Sequence, residues 1–276
     1  VGKTRSNWGA GNFFNAGDLI FEEVPSDLTV DEFLTTNRWM VLPRFYLGDF
    51  TYLELITMAP PYNLGEQLAA QLATPPQPIP PGPGFDQASA GGRFFHDFGP
   101  FQGQIGYLFS GERDKQSAFL SLGWAWEWDF SLAGSYAWGL DYFVPEVQES
   151  NLLFTAGTYS QGEIEGVGNF TWRFEGEYRP YGSTEKFADR SSEDLPQWQA
   201  AAEMNFSPSS LFNVFLRGIM DPWDLSATTT IGLSWNYDKG VTLLGYATNS
   251  IGGENQKYSW VDQTGWNYTL GVRSRF

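Results

Sequence analysis

The chain closes on Trp266-Asn267-Tyr268-Thr269-Leu270-Gly271-Val272-Arg273-Ser274-Arg275-Phe276. Alternate positions separate by polarity: Trp266, Tyr268, Leu270, Val272 and Phe276 fall on one side, and Asn267, Thr269, Gly271, Arg273 and Arg275 on the other. A period of two belongs to a β-strand with one apolar and one polar face, and about ten residues is the length of a tilted strand that crosses a bilayer. The aromatic residues stand at the two ends of the apolar face, where such a strand would meet the membrane interfaces.

The same alternation recurs upstream. Phe101, Gly103, Ile105, Tyr107 and Phe109 alternate with Gln102, Gln104, Gly106 and Ser110. Ala118, Leu120, Leu122, Trp124, Trp126 and Trp128 oppose Ser117, Ser121, Gly123, Ala125 and Glu127; after a turn at Asp129, Phe130, Leu132, Tyr136 and Trp138 oppose Ser131, Ala133, Ser135 and Ala137. Trp124, Trp126, Trp128 and Phe130 thereby gather round one turn, as an interfacial girdle does. Phe170, Trp172, Phe174 and Tyr178 alternate with a ladder of charges, Arg173, Glu175, Glu177 and Arg179. Further strands are expected over 1–5, 39–47, 50–58, 92–98, 152–160, 198–206, 212–220, 225–237 and 241–249. The expected fold class is therefore all-β, an antiparallel transmembrane β-barrel of about 14 strands in one domain over 1–276.

The connections sort by length without reference to strand phase. One edge carries short turns at Gly48-Asp49, Gly99-Pro100, Asp129, 161–166, 207–209 and Asp238-Lys239, and the other carries the long loops 9–37, 59–90, 139–151, 180–196 and 250–265. A soluble β-sandwich alternates too, but it needs neither aromatics at strand ends nor consistently short turns on one side. Within the loops, 64–72 places Leu64, Leu68 and Leu72 at helical spacing, 74–84 is Pro-rich and reads as polyproline II, and Pro25-Ser26-Asp27 starts one or two helical turns.

Composition supports the barrel. Aromatic residues make up 17% of the 276 residues, charged residues another 17%, and the mean hydropathy is −0.31. A helical membrane protein would carry apolar runs of about 18 residues, and the sequence has none. The absence of Cys excludes disulfides, thiolate chemistry and Cys-ligated metals. A net charge of −16 argues against nucleic acid as a partner and reads as solvated acidic loops.

A strand that ends the chain on Phe behind alternating aromatics resembles the C-terminal insertion signal of bacterial outer-membrane β-barrels. That resemblance implies the bacterial outer membrane, with its lipid and the barrel-assembly machinery as partners. It makes Trp266, Tyr268, Leu270, Val272 and Phe276 the assembly signal. Between Val1 and Leu19 the order V-G-K-x-R-x-x-W-G-x-G-x-F-F-N-x-x-D-L is similar to a segment of porin-like outer-membrane families, including alginate-export-type barrels. There it lies on a strand and the inward loop after it, and its glycines and Asn serve tight backbone turns. Those families often have Pro-Thr where this chain has Ala16-Gly17. In them the segment stands well after the N-terminus, so the resemblance implies further strands upstream and a larger barrel.

Chemistry-bearing residues are few. His96 is the single histidine and shares the apolar face of Phe94 and Phe98, an outward place without an identifiable Ser partner. Glu175 and Glu177 lie on one face about 7 Å apart, yet Arg173 and Arg179 flank them, so a charge ladder on a watery wall is the simpler reading. Glu22, Glu23, Asp27, Asp31 and Glu32 match no calcium-loop spacing. If strand one closes against the last strand, Lys3, Arg5, Arg273 and Arg275 become neighbours with Arg44 beside them, a cationic mouth that steers anions. The competing account is pairing of these cations with Glu54, Asp97 or loop carboxylates.

The expected function is a porin-like channel for small polar solutes, anionic ones included, constricted by loop 9–37 or 59–90. Its pore-lining candidates are Lys3, Arg5, Arg44, Arg173, Glu175, Glu177, Arg179, Arg273 and Arg275, and it needs no cofactor, metal or catalytic residue. Two alternatives stand beside it: a structural subunit that meets a protein partner through loop 59–90, and an outer-membrane enzyme acting on lipid or glycan.

Overall fold

The structure is a computed structural model and describes residues 2–4, 8, 9, 11, 13–20, 38–60, 87–111, 114–139, 151–180, 197–223, 225–238, 240–253, 258 and 266–274. The helix expected over 64–72, the Pro-rich stretch 74–84 and the helical turns after Pro25 lie outside the described residues.

Fifteen strands form one antiparallel sheet: β1 (Gly2–Thr4), β2 (Arg38–Val41), β3 (Arg44–Gly48), β4 (Thr51–Met58), β5 (Ser89–Asp97), β6 (Phe101–Ser110), β7 (Lys115–Ala125), β8 (Asp129–Gly139), β9 (Asn151–Ile164), β10 (Gly168–Arg179), β11 (Gln197–Ser209), β12 (Phe212–Asp221), β13 (Ser226–Asp238), β14 (Val241–Ile251) and β15 (Trp266–Ser274). Neighbours in sequence are neighbours in the sheet, except that β2 and β3 both pair with β4. They are two pieces of the one strand expected over 39–47. Pro43 has no N–H to give the ladder, and the strand breaks at Leu42-Pro43 while the Pro43 carbonyl still accepts from Leu55 N at 2.9 Å. Fifteen strands thus fill fourteen positions, and among the described residues no ladder joins β1 to β15.

The turns differ in detail from the expected ones. A single residue at Asp129 cannot reverse an antiparallel pair; β7 instead ends at Ala125, Trp126-Glu127-Trp128 make the connection, and Ala125 pairs with Asp129. At the next short turn β9 runs on to Ile164, four residues past the expected end. β11 passes Pro208 by a register shift between Phe206 and Ser209, which moves the turn to Ser210-Leu211. All the long connections, 5–37, 59–88, 140–150, 180–196 and 252–265, leave the same edge of the sheet.

Alternation then decides which side is which. Ile105 and Leu120, at mid-height on β6 and β7, are 56% and 53% exposed, whereas the neighbouring wall residues Gln104 and Ser121 point the other way and are buried. This inverts a soluble core: apolar side chains face outward and polar ones inward. Aromatic rings mark two levels of the outer face. Near the short turns Trp124 stacks on Phe130 at 5.1 Å, Trp128 meets Trp172 edge-on at 4.8 Å, and Phe212 stacks on Trp235 at 5.7 Å. Near the long loops Trp138 contacts Tyr136 at 5.5 Å and Tyr178 contacts Trp198 at 4.3 Å. From Phe130 to Trp138 is about 27 Å along β8, close to the height of a hydrocarbon core once the strand tilts.

The sheet is curled into a barrel wall. Trp8 hydrogen-bonds Glu54 on β4, while Phe13 and Phe14 share an apolar cluster with Ala201 on β11 and Ile219 on β12. On a flat sheet, the eight steps from β4 to β12 would separate these partners by about 38 Å. Six peptide units reach about 21 Å at most, so the strands wrap around the segment that touches them all.

Replacing Leu120 by Arg at mid-height should cost about 2–4 kcal/mol of folding stability in lipid, while Glu163→Arg, beyond the apolar belt, should cost little. Denaturant titration of vesicle-embedded protein measures both. Equal, small effects would mean that the outer face is not in hydrocarbon.

Candidate functional site

The inside of the barrel is occupied by residues of the chain's own start. Trp8, Phe13, Phe14, Ala16, Leu19 and Ile20 are buried, Trp8 completely. Local chemistry explains the shape of the 8–20 segment. Gly9 has φ +84°, a left-handed conformation that side chains disfavour, and a Cβ there would collide with Asn15 Oδ1. Asn15 ties the turn together: its Nδ2 donates to the Trp8 carbonyl at 2.6 Å and its Oδ1 accepts from Gly17 N at 3.0 Å. The Gly9 and Gly17 backbones lie so close that a Cβ on Gly17 would stand 2.7 Å from Gly9 Cα.

Side chains on opposite parts of the wall hold this segment. On one part, Trp8 Nε1 donates to Glu54 Oε1 at 2.9 Å, and Arg44 Nη2 and Arg93 Nε lie 2.6 and 3.0 Å from the same carboxylate. Arg93 Nη1 also donates to Gln104 Oε1, which accepts Gly9 N at 3.3 Å. Trp8 stacks on Phe119 of β7, and the cluster extends to Ile56, Met58, Leu108, Leu19 and Ile20. On the other part, the backbone N–H groups of Phe13 and Phe14 donate to Glu175 Oε2 at 2.7 and 2.9 Å, and Ala16 N to Thr155 Oγ1 at 3.4 Å. Tyr258, from the last long connection, joins the Phe13–Phe14 cluster and donates its hydroxyl to Gln199 Oε1 at 3.0 Å.

The charge ladder of β10 is internally paired. Arg179 Nε donates to Glu177 Oε1 at 2.7 Å; Arg173 Nε lies 3.6 Å from Glu175 Oε1, and its Nη1 lies 3.6 Å from Glu203 Oε1. Glu203 Oε2 in turn lies 2.6 Å from Arg217 Nε. Two three-strand rows result, Arg44–Glu54–Arg93 and Arg173–Glu203–Arg217. Their central strands β4 and β11 are seven steps apart in a sheet of fourteen positions, hence on facing walls.

Of the residues expected to line the interior, Arg44, Arg173, Glu175, Glu177 and Arg179 are on the inward phase. The Arg273 backbone pairs with that of Thr242, and Arg5, Arg275 and Phe276 lie outside the described residues. Lys3 lies on β1, where its backbone pairs with that of Trp39. The expected cationic seam falls on Arg5 and Arg275, outside the described residues, and Arg44 is paired with Glu54. His96 stands on the outer face as expected, its Nδ1 2.7 Å from Thr51 Oγ1. Trp266, Tyr268, Leu270 and Val272 are outward and exposed. The sequence marks Glu54 as a pairing partner for the cations, which Arg44 bears out, but does not mark it, Gln104 or Gln199 as partners of the segment. The available signal was the apolar set Ile56, Met58, Leu108 and Phe119 on a polar phase, which only an inward segment could cover.

A cavity of about 320 Å³ lies against β6–β10, lined by Gln102, Ala125, Asp129, Ser131, Tyr159, Arg173 and Glu175 among others.

No protein-family model matches the chain, and no curated protein matches it. Among solved structures it is similar to a KdgM porin in complex with disordered oligogalacturonate, at 9% identity and a TM-score of 0.31 over 69% of this chain and 94% of that one. It is also similar to outer-membrane expressed OmpT of Vibrio cholerae, at 9% identity and a TM-score of 0.43 over 82% of this chain and 77% of that one. At such TM-scores the likeness is too remote to carry a functional argument.

Glu175→Ala should detach the Phe13–Phe14 end of the segment. Two charge-assisted hydrogen bonds are lost, each worth about 1.5–3 kcal/mol, so hydrogen exchange at the two amides should speed up by at least about tenfold. Exchange unchanged from the parent would show that the apolar cluster alone holds this end.

Proposed function

We propose that this chain is a passive channel of the bacterial outer membrane for small polar solutes, with segment 8–20 as its fixed constriction. The carrying observation is the segment itself, a compact turn stretched between facing walls of a barrel whose inner surface is Glu54, Arg93, Gln104, Ser121, Thr155, Glu175, Gln199 and Thr230. Hydrated linings of this kind pass polar solutes by size and charge without chemical conversion. The paired carboxylates of β10 are engaged, Glu175 by two amides and Glu177 by Arg179, and His96 sits on the lipid side. The paired inner charges, with Asp129 and Asp221 besides, favour polar solutes in general over a channel that selects strongly for anions.

Loop 59–90, the other expected constriction, lies largely outside the described residues, and segment 8–20 suffices for the role. Replacing residues 10–18 by a short Gly-Ser bridge should raise single-channel conductance in planar bilayers severalfold, whereas deleting 62–84 should change it little. A barrel that stays silent after the first replacement would count decisively against a channel. A larger response to the second would move the constriction to the other loop.

A further inference from the structure

We propose that the cavity against β6–β10 is a binding subsite for a small monocarboxylate whose other end carries hydroxyl or ammonium groups, Arg173 taking the carboxylate and Asp129 the donors. The inference deepens the channel reading by naming a solute class.

Register brings these groups together. Asp129 pairs with Tyr159, Tyr159 with Arg173 and Arg173 with Glu203, so one inward row runs across β8, β9, β10 and β11. Asp129 and Arg173 are thus two strand steps apart, about 10 Å between their Cα atoms, with the Tyr159 ring between them. The Arg173 guanidinium stands over that ring at 5.1 Å, a contact that fixes its plane. Both of its carboxylate neighbours lie at 3.6 Å, outside hydrogen-bonding distance, whereas Arg44, Arg93, Arg179 and Arg217 each approach a carboxylate to between 2.6 and 3.0 Å. Arg173 is therefore an arginine that lines the cavity and is held in place by charge and ring contacts. A planar guanidinium so held is suited to bidentate capture of a carboxylate.

The rest of the lining narrows the class. Gly157 leaves the wall bare between Ser131 and Glu175, where a Cβ would come within 3.0 Å of both side chains. The cavity's volume of about 320 Å³ is at the small end for ligand sites and suits a molecule of modest size. Asp129 and Glu175 border it with negative charge, which disfavours a second carboxylate and favours hydroxyl or ammonium donors at the far end.

Calorimetric titration of the full chain in detergent tests the site, with 6-aminohexanoate and D-gluconate as probes and D-glucose and succinate as controls. One or both probes should bind in the millimolar range, either alone showing which donor is preferred, with both controls at least about tenfold weaker. Arg173→Gln should weaken the binding probe by at least about tenfold, with Arg173→Lys as a second variant should the first not fold, and Asp129→Asn should admit succinate. Probe binding unchanged in either Arg173 variant, or glucose binding as well as gluconate, overturns the site. Bilayer recording separates the two ideas: binding without conductance keeps the site and removes the channel, and conductance without probe binding does the reverse.

Discussion

In hydrocarbon an unpaired backbone N–H or C=O costs several kcal/mol, so a strand at membrane depth must hydrogen-bond to neighbours on both sides. From β4 through β14 every strand has two such neighbours, and the ladders run nearly residue for residue. That requirement propagates. A continuous ladder fixes register, register fixes which alternate residues face lipid, and the other half must then be accommodated inside. Irregularities fall where the requirement relaxes: Pro43 near one edge of the sheet, Pro208 beside a turn, and the Trp126–Trp128 connection at an interface.

Putting the polar half inside creates a second problem, because charges removed from bulk water need partners. The wall answers with Arg–Glu–Arg rows in which each carboxylate serves two arginines, and Glu175 adds a second carboxylate beside Arg173. The segment enters the same networks by offering donors to their carboxylates: an indole N–H to Glu54 and two backbone amides to Glu175. Donors are what a buried carboxylate beside an arginine can still accept. The apolar faces of Trp8, Phe13 and Phe14 meanwhile cover wall residues that would otherwise break the polar phase. Anchoring is therefore both electrostatic and hydrophobic.

Much of this was legible from alternation. β6, β7, β13 and β15 each announce their faces in the sequence, and the aromatic positions announce the interfaces. Exact turns were less legible, since a shift of two or three residues leaves alternation intact on either side of it. Phase near a strand end is the least legible feature, since a one-residue slip would exchange the faces of a short strand such as the three-residue β1. The glycines and Asn15 marked a tight turn after Trp8, because their need is local. Its partners were not marked, since Glu54, Gln104 and Glu175 stand 46, 95 and 162 residues from the groups they bind, and only the closed wall brings them near.

The two Arg–Glu–Arg rows are not equivalent, and the difference locates the open part of the interior. On the β3–β5 wall the central Glu54 holds both arginines within 3.0 Å, Gln104 takes a further Arg93 donor, and Trp8 and Phe119 close over the group. On the β10–β12 wall Glu203 approaches Arg217 closely, while Arg173 is drawn between Glu203 and Glu175 and settles at 3.6 Å from each. An arginine shared between two carboxylates cannot optimise its geometry to both, and the segment's amides further fix Glu175 where it is. Packing is consequently complete where Trp8 docks and incomplete beside Arg173, and there the cavity lies. One anchoring scheme thus holds both ends of the segment against the wall, the indole end at Glu54 and the Phe13–Phe14 end at Glu175, and the cavity lies where Arg173 is shared.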